Sequence, residues 1–220
     1  MMIGSNLLLY GSLARGEAYH KSDVDLLSLV EGNSRKVING VISLSLYNYS
    51  KMRKMSSCGA LFAYHLVEES LVLNDEGGCL MRNIFEVFRK KESYMEEMCF
   101  SRYLLSHIEA RYENLKTYGY ANLRVGWCMR TFVAALGANN NEVMFSNKKI
   151  AKEFGASVAE YMKVKNSIEN SAEIIRKIRL FMDEHVFGWE EYSYGNDLII
   201  FKEQVLKKMS FDASCVIDYV

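Results

Sequence analysis

The hydrophobic period changes once along this chain, near residue 78, and that change limits the fold more than any other feature. Before it, short apolar runs have the length and alternation of strands; after it, apolar residues recur at three- and four-residue spacing. Leu7–Tyr10 is a continuous apolar run cut off by Gly11, Val24–Val30 is a second, and Val41–Tyr49 is a third. In the third, Ile42, Leu44 and Leu46 fall on one face while Val41, Ser43, Ser45 and Tyr47 fall on the other. Gly32-Asn33 and Asn39-Gly40 supply turns on either side of a short basic stretch, Ser50–Glu69 has helical spacing, and Leu71–Leu73 predicts a short strand. Past Gly78, Leu80, Ile84, Phe85 and Phe88, and then Leu104, Leu105, Ile108 and Tyr112, keep helical spacing. Further helices are predicted over 121–136, 146–154, 157–186 and 197–209, with Gly119 and Gly137–Asn141 as the turns between them. The expected architecture is α+β: a small mixed-sheet domain over residues 1–78, then an all-α helical bundle over 79–220.

Composition narrows the partners. The 220 residues hold 27 Lys plus Arg against 27 Asp plus Glu, so bulk electrostatic capture of nucleic acid or an anionic membrane is not expected. Half the residues are hydrophobic, enough for a core without covalent staples. The five cysteines are scattered and form no CxxC pair, which predicts reduced, buried thiols rather than disulfides or a thiolate zinc site. The stretch MMIGSNLLLYGS lacks the basic region of a signal peptide, and no apolar run approaches the roughly 20 residues of a membrane helix. A cytoplasmic protein with no membrane partner is expected.

The chemistry concentrates in Leu7–Val30. A buried strand runs into Gly11-Ser12, where a short helix starts, and ten residues later a second strand opens with Asp23-Val24-Asp25. Residues two apart on a strand share a face at roughly 6.6 Å, so Asp23 and Asp25 converge while Val24 packs inward. Two carboxylates so placed repel each other unless a cation or a proton sits between them. Hard oxygen donors suit magnesium, which binds through one or two carboxylates and substrate phosphates. The Gly-Ser turn offers backbone N–H groups and a hydroxyl to a phosphate.

Gly11-Ser12, ten residues and Asp23-Val24-Asp25 reproduce the signature of the DNA polymerase beta-like nucleotidyltransferases, which this stretch resembles. Ala14-Arg15-Gly16 and Ser22-Asp23 look like the minimal nucleotidyltransferases, a group that includes antitoxins acting on a helical toxin. The resemblance covers about the first 75 residues. It implies that Gly11 and Ser12 hold a nucleoside triphosphate, that Arg15 reaches a phosphate or stays solvated, and that Asp23 and Asp25 are catalytic and ligate Mg2+. It further implies transfer of a nucleotidyl group, AMP in the common case, to a hydroxyl on a protein, an RNA or a small molecule, within a toxin–antitoxin or anti-phage system. Active relatives carry a third carboxylate on the next core strand, where this chain has Ser43 and Ser45. Glu68, Glu69 and Asp75 are the nearby carboxylates available to replace it in function, and nothing in the sequence places them there. Two readings stay open: an enzyme working with two carboxylates, or a catalytically weakened nucleotide-binding regulator or partner-binding module.

The remaining motifs are weaker. His65, flanked by Leu61, Phe62 and Leu66, reads as a core histidine. Arg102…His107 and Arg179…His185 fit the loose spacing of HEPN ribonucleases, but solvated side chains on amphipathic helices are the preferred account. Basic and aromatic residues interleave over Arg111–Arg130, where Trp127 is read as core, and Phe187–Tyr192 is read as an aromatic loop.

Overall fold

A computed structural model describes residues 6–18, 20, 22–76, 79–112, 118–166 and 172–185. The chain divides into two compact units between Lys91 and Glu92. The first unit contains β1 (Asn6–Tyr10), α1 (Gly11–Ala14), β2 (Val24–Val30), β3 (Arg35–Asn39), β4 (Ile42–Asn48), α2 (Tyr49–Ser57), α3 (Leu61–Glu69), β5 (Leu71–Asp75) and α4 (Leu80–Glu86). The division falls later than the change of texture near residue 78 because α4, although helical, belongs to the sheet unit. Its Met81 and Ile84 complete the core formed by Leu8, Leu27, Leu29, Met52 and Leu66.

The five strands form one mixed sheet in the order β3-β4-β2-β1-β5, with β2 and β4 parallel and the other pairs antiparallel. One rank across the register reads Tyr10–Asp25–Ser43, on the face that carries Leu8, Leu27 and Leu29. The opposite face holds the rank Val37–Leu44–Leu26–Leu9–Leu71. Aliphatic side chains on both faces explain why β1 and β2 read as near-continuous apolar runs rather than as alternation.

β3 is the basic stretch between the two turns, and its five residues are all exposed. No burial pattern marks it as a strand; pairing with β4 at the sheet edge does. The helical segment expected over 50–69 is two helices. Gly59 turns the chain at φ +67° between them, and Ala60 N–H closes on the Met55 carbonyl at 2.9 Å. Asn48 caps α2 by accepting from Lys51 N–H and donating to the Glu31 and Gly32 carbonyls. Asp75 caps α4, its two carboxylate oxygens accepting from the Met81 and Arg82 amides at 3.1 and 3.2 Å.

The second unit is all-α over its described residues: α5 (Met95–Arg111), α6 (Tyr118–Asn139), α7 (Asn147–Phe154), α8 (Ala156–Tyr161), a 3-10 turn (Met162–Asn166) and α9 (Ala172–His185). Phe100, Leu104, Leu105 and Ile108 of α5 are buried, as are Val125, Cys128, Met129 and Phe132 of α6. Phe132 meets Phe181 of α9 edge to face, and Arg179 of α9 bonds Glu109 of α5 at 2.7 Å. The single helix expected over 157–186 is instead α8, the 3-10 turn and α9. Gly119 lies inside α6 rather than in a turn.

All four described cysteines are free, but Cys58 and Cys79 are exposed, so burial holds only for Cys99 and Cys128. Among the described residues no helix is long and apolar enough to cross a membrane. The expected helix over 197–209, the loop over 187–192, Cys215, Lys21, Lys116 and the side chains of Arg111, Tyr118 and Tyr120 lie outside the described residues.

Candidate active site

β1 and β2 place the carboxylates. Tyr10, the last residue of β1, pairs with Asp25, the second residue of β2; Asp23 stands two residues earlier, just outside the strand. Asp25 is half-buried and Asp23 is exposed, so the pair runs from the covered face of the sheet to its rim. Immediately after Tyr10 the chain turns through Gly11 at φ +77° into the single turn of α1. The closeness of that turn to the carboxylate is measurable: a Cβ on Gly11 would stand 2.8 Å from Asp25 Oδ2. The glycine serves two needs at once, a left-handed backbone and an approach so close that a Cβ would push the Asp25 carboxylate aside.

Gly11→Ala is therefore expected to lower the activity of the site by about 100-fold while costing only about 1–2 kcal/mol of stability. Initial rates and a thermal melt of the same preparation check this. A variant that melts normally and reacts at the wild-type rate would show that the close approach is unimportant.

Ser43 of β4 is the direct neighbour of Asp25 across the parallel pair, and Ser45 is the neighbour of Leu27. Both serines are buried. Ser45 Oγ lies 3.2 Å from Tyr10 OH, whereas Ser43 Oγ is buried without a hydrogen-bond partner. Burial, with the charge of Asp25 adding to it, pushes the Tyr10 phenol above its usual range. The phenol thus stays protonated at neutral pH, and either it or the Ser45 hydroxyl donates in the bond between them.

The other carboxylates weighed from the sequence are occupied elsewhere or exposed. Asp75 caps α4, Glu69 is ion-paired with Arg15 at 3.1 Å, and Glu68 is exposed. Arg15 is not a solvated side chain: its guanidinium is 14% exposed and also bonds Glu17 at 2.9 Å. His65 Nε2 is 3.4 Å from the Glu69 carboxylate, and its ring meets Tyr10 and Phe62 edge to face. It is a partly buried histidine with polar partners. His20 is exposed.

Among the described residues no group of three His, Cys, Asp or Glu side chains is arranged to hold a metal. Asp23 and Asp25 nevertheless fit magnesium, which needs only one or two protein carboxylates when substrate phosphates complete its octahedron.

Residues 4–97 match the family described as the nucleotidyltransferase domain. The sheet unit is a nucleotidyltransferase domain. Its membership of the DNA polymerase beta-like superfamily agrees with the Gly11-Ser12 turn and the Asp23/Asp25 pair, which this domain brings to one end of the sheet. No curated protein matches the chain. The match ends early in α5, so the nucleotidyltransferase domain is followed by a helical unit to which it assigns nothing.

The histidines of the helical unit differ from the solvated side chains expected. His107 is 8% exposed and stacks on Tyr103. His185 sits against Phe154 and Phe181, and burial pulls its pKa below the usual value. In the basic and aromatic stretch, Trp127 packs edge to face on Phe100, while Arg130 donates to the Phe145 carbonyl and the Asn147 side chain. These side chains serve packing and helix connection.

Proposed function

We propose that the protein transfers a nucleotidyl group, AMP in the common case, from a nucleoside triphosphate to a hydroxyl acceptor. The observation that supports this reading is the close approach of the Gly11 turn to Asp25, one of the two aspartates. Gly11, Ser12 and Arg15 belong to the phosphate-binding end, and Asp23 and Asp25 hold Mg2+. The bound ion supplies charge neutralisation at the phosphates and polarises the reacting phosphorus. The acceptor oxygen attacks the α-phosphorus, the bond from that phosphorus to the oxygen bridging to the β-phosphate breaks, pyrophosphate leaves, and the proton of the acceptor hydroxyl passes to solvent water. Ser43 and Ser45 do not take that proton at neutral pH, and Tyr10, held protonated, does not either. Resemblance to minimal nucleotidyltransferases favours a protein or RNA acceptor within a bacterial toxin–antitoxin or anti-phage system, in the cytoplasm.

Parallel reactions with NTPs labelled at the α- or the γ-phosphate, with magnesium and cell lysate, test the reaction type. Label from the α-position is expected on the acceptor and none from the γ-position. Transfer of the γ-label alone would make the protein a kinase and sink the reading.

A second reading has its own support. Ser43 beside Asp25, together with the commitment of Asp75 and Glu69 to other partners, leaves the two aspartates without a third carboxylate among the described residues. On this reading the domain binds a nucleotide and signals its presence without transfer. Nucleotide binding with no α-label on any acceptor is its signature.

A further inference from the structure

We infer that Glu69 is a positioning residue for the nucleotide, acting through Arg15 on the Gly11-Ser12 turn. The inference rests on the nucleotidyltransferase reading and adds to it a residue of α3 that lies far from the carboxylates in sequence. α1 is only four residues long, and no side chain caps its start. A single helical turn has no stability of its own, so its place must be set from outside. Two contacts set it. At the front, Gly11 closes against Asp25. At the back, Arg15, whose N–H reaches the Gly11 carbonyl at 3.3 Å, sends its guanidinium to Glu69 at 3.1 Å and to Glu17 at 2.9 Å.

Glu69 is well suited to be the fixed partner. Its side chain is 7% exposed, and the same Oε2 that takes Arg15 lies 3.4 Å from His65 Nε2, one turn earlier on α3. α3 is itself fixed: Ala63, Tyr64 and Leu66 are buried, and β5 begins almost at once, with Leu71 paired to Leu9. Glu69 thus ties α1 to the end of the sheet where Tyr10 and Asp25 stand. A charge-assisted pair this sheltered from water constrains geometry more than a surface pair does. Glu17 alone, two residues from Arg15 on the same loop, gives no such reference to the sheet.

The test is a double-mutant cycle on Arg15→Ala and Glu69→Gln, with calorimetric titration by each NTP plus magnesium, steady-state rates and thermal melts. At a temperature well below every melt, each single variant is expected to weaken NTP binding about 10- to 100-fold. The double variant should bind no more weakly than the worse single, since both changes break one linkage. At saturating NTP, Glu69→Gln should lower kcat less than about threefold, because a misplaced turn that the substrate refills affects KM first. Binding by Glu69→Gln equal to wild type, or strictly additive losses in the double variant, overturns the inference and leaves the transferase reading intact. A folded wild type that binds no NTP removes that reading and the inference with it.

Discussion

Replacing Asp25 by Asn should abolish nucleotidyl transfer and leave the fold standing. Asn keeps the shape of the side chain, removes one negative charge and turns one acceptor oxygen into an N–H donor, so the change acts chiefly on electrostatics. The charge matters because Asp25 is the carboxylate nearest the Gly11 turn and is half-buried, where a charge acts through less solvent than one at the rim. If its contribution to stabilising the reacting phosphates is about 4 kcal/mol, the rate falls about 1000-fold. Asp23→Asn should cost less, because Asp23 is exposed and better screened. Stability should move by less than about 1 kcal/mol in either variant, since neither carboxylate belongs to the hydrophobic core. Initial rates of α-label transfer at saturating NTP, with melts of the same samples, give both numbers. Unchanged labelling by Asp25→Asn would rule out the Asp23/Asp25 pair as the reacting site, wherever else the nucleotide bound.

Gly59→Ala should unfold the sheet unit more readily than any single change at the site. Gly59 sits at φ +67° between α2 and α3, and a Cβ there would stand 2.8 Å from Lys91 N and closer still to the Arg89 carbonyl oxygen. Both are backbone atoms, in a segment held by Arg89 N–H on the Ser56 carbonyl at 3.2 Å, so no flexible side chain can swing away. The left-handed conformation costs about 1–2 kcal/mol and the overlap about 1–3 more. For a unit of this size each kcal/mol lowers the melting temperature by about 4–8 °C, so a fall of roughly 10–30 °C is expected. Gly16→Ala is the internal control: its φ is +67° as well, but nothing lies within 4 Å of the added carbon. That variant should lose only the conformational term. Equal melting temperatures for the two would mean that the Arg89–Lys91 segment yields without cost.

Much of the site was legible in the chain because its parts are local. A strand, a Gly-Ser turn and a second strand occupy one continuous stretch that follows from side-chain period and backbone chemistry, although β2 opens at Val24 and leaves Asp23 just before it. β3 was not legible, since a fully exposed edge strand carries no hydrophobic alternation and its pairing with β4 alone makes it a strand. The break at Gly59 was hidden because helical spacing continues across it, and one glycine does not announce a left-handed turn. Arg15 was harder still. An arginine on a short helix reads as solvated or phosphate-bound, and only the fold brings Glu69 to it from α3.

The sequence by itself determined the class of chemistry and the two textures of the chain, because residue spacing sets which groups share a strand or a helical face. Tertiary structure alone decided the rest: that α4 closes the sheet core, that Ser43 stands beside Asp25, that Asp75 caps a helix, and that Glu69 pairs with Arg15. Each of these depends on which distant segments meet. That is set by burying apolar surface across the whole unit, a sum over many side chains that no local spacing encodes.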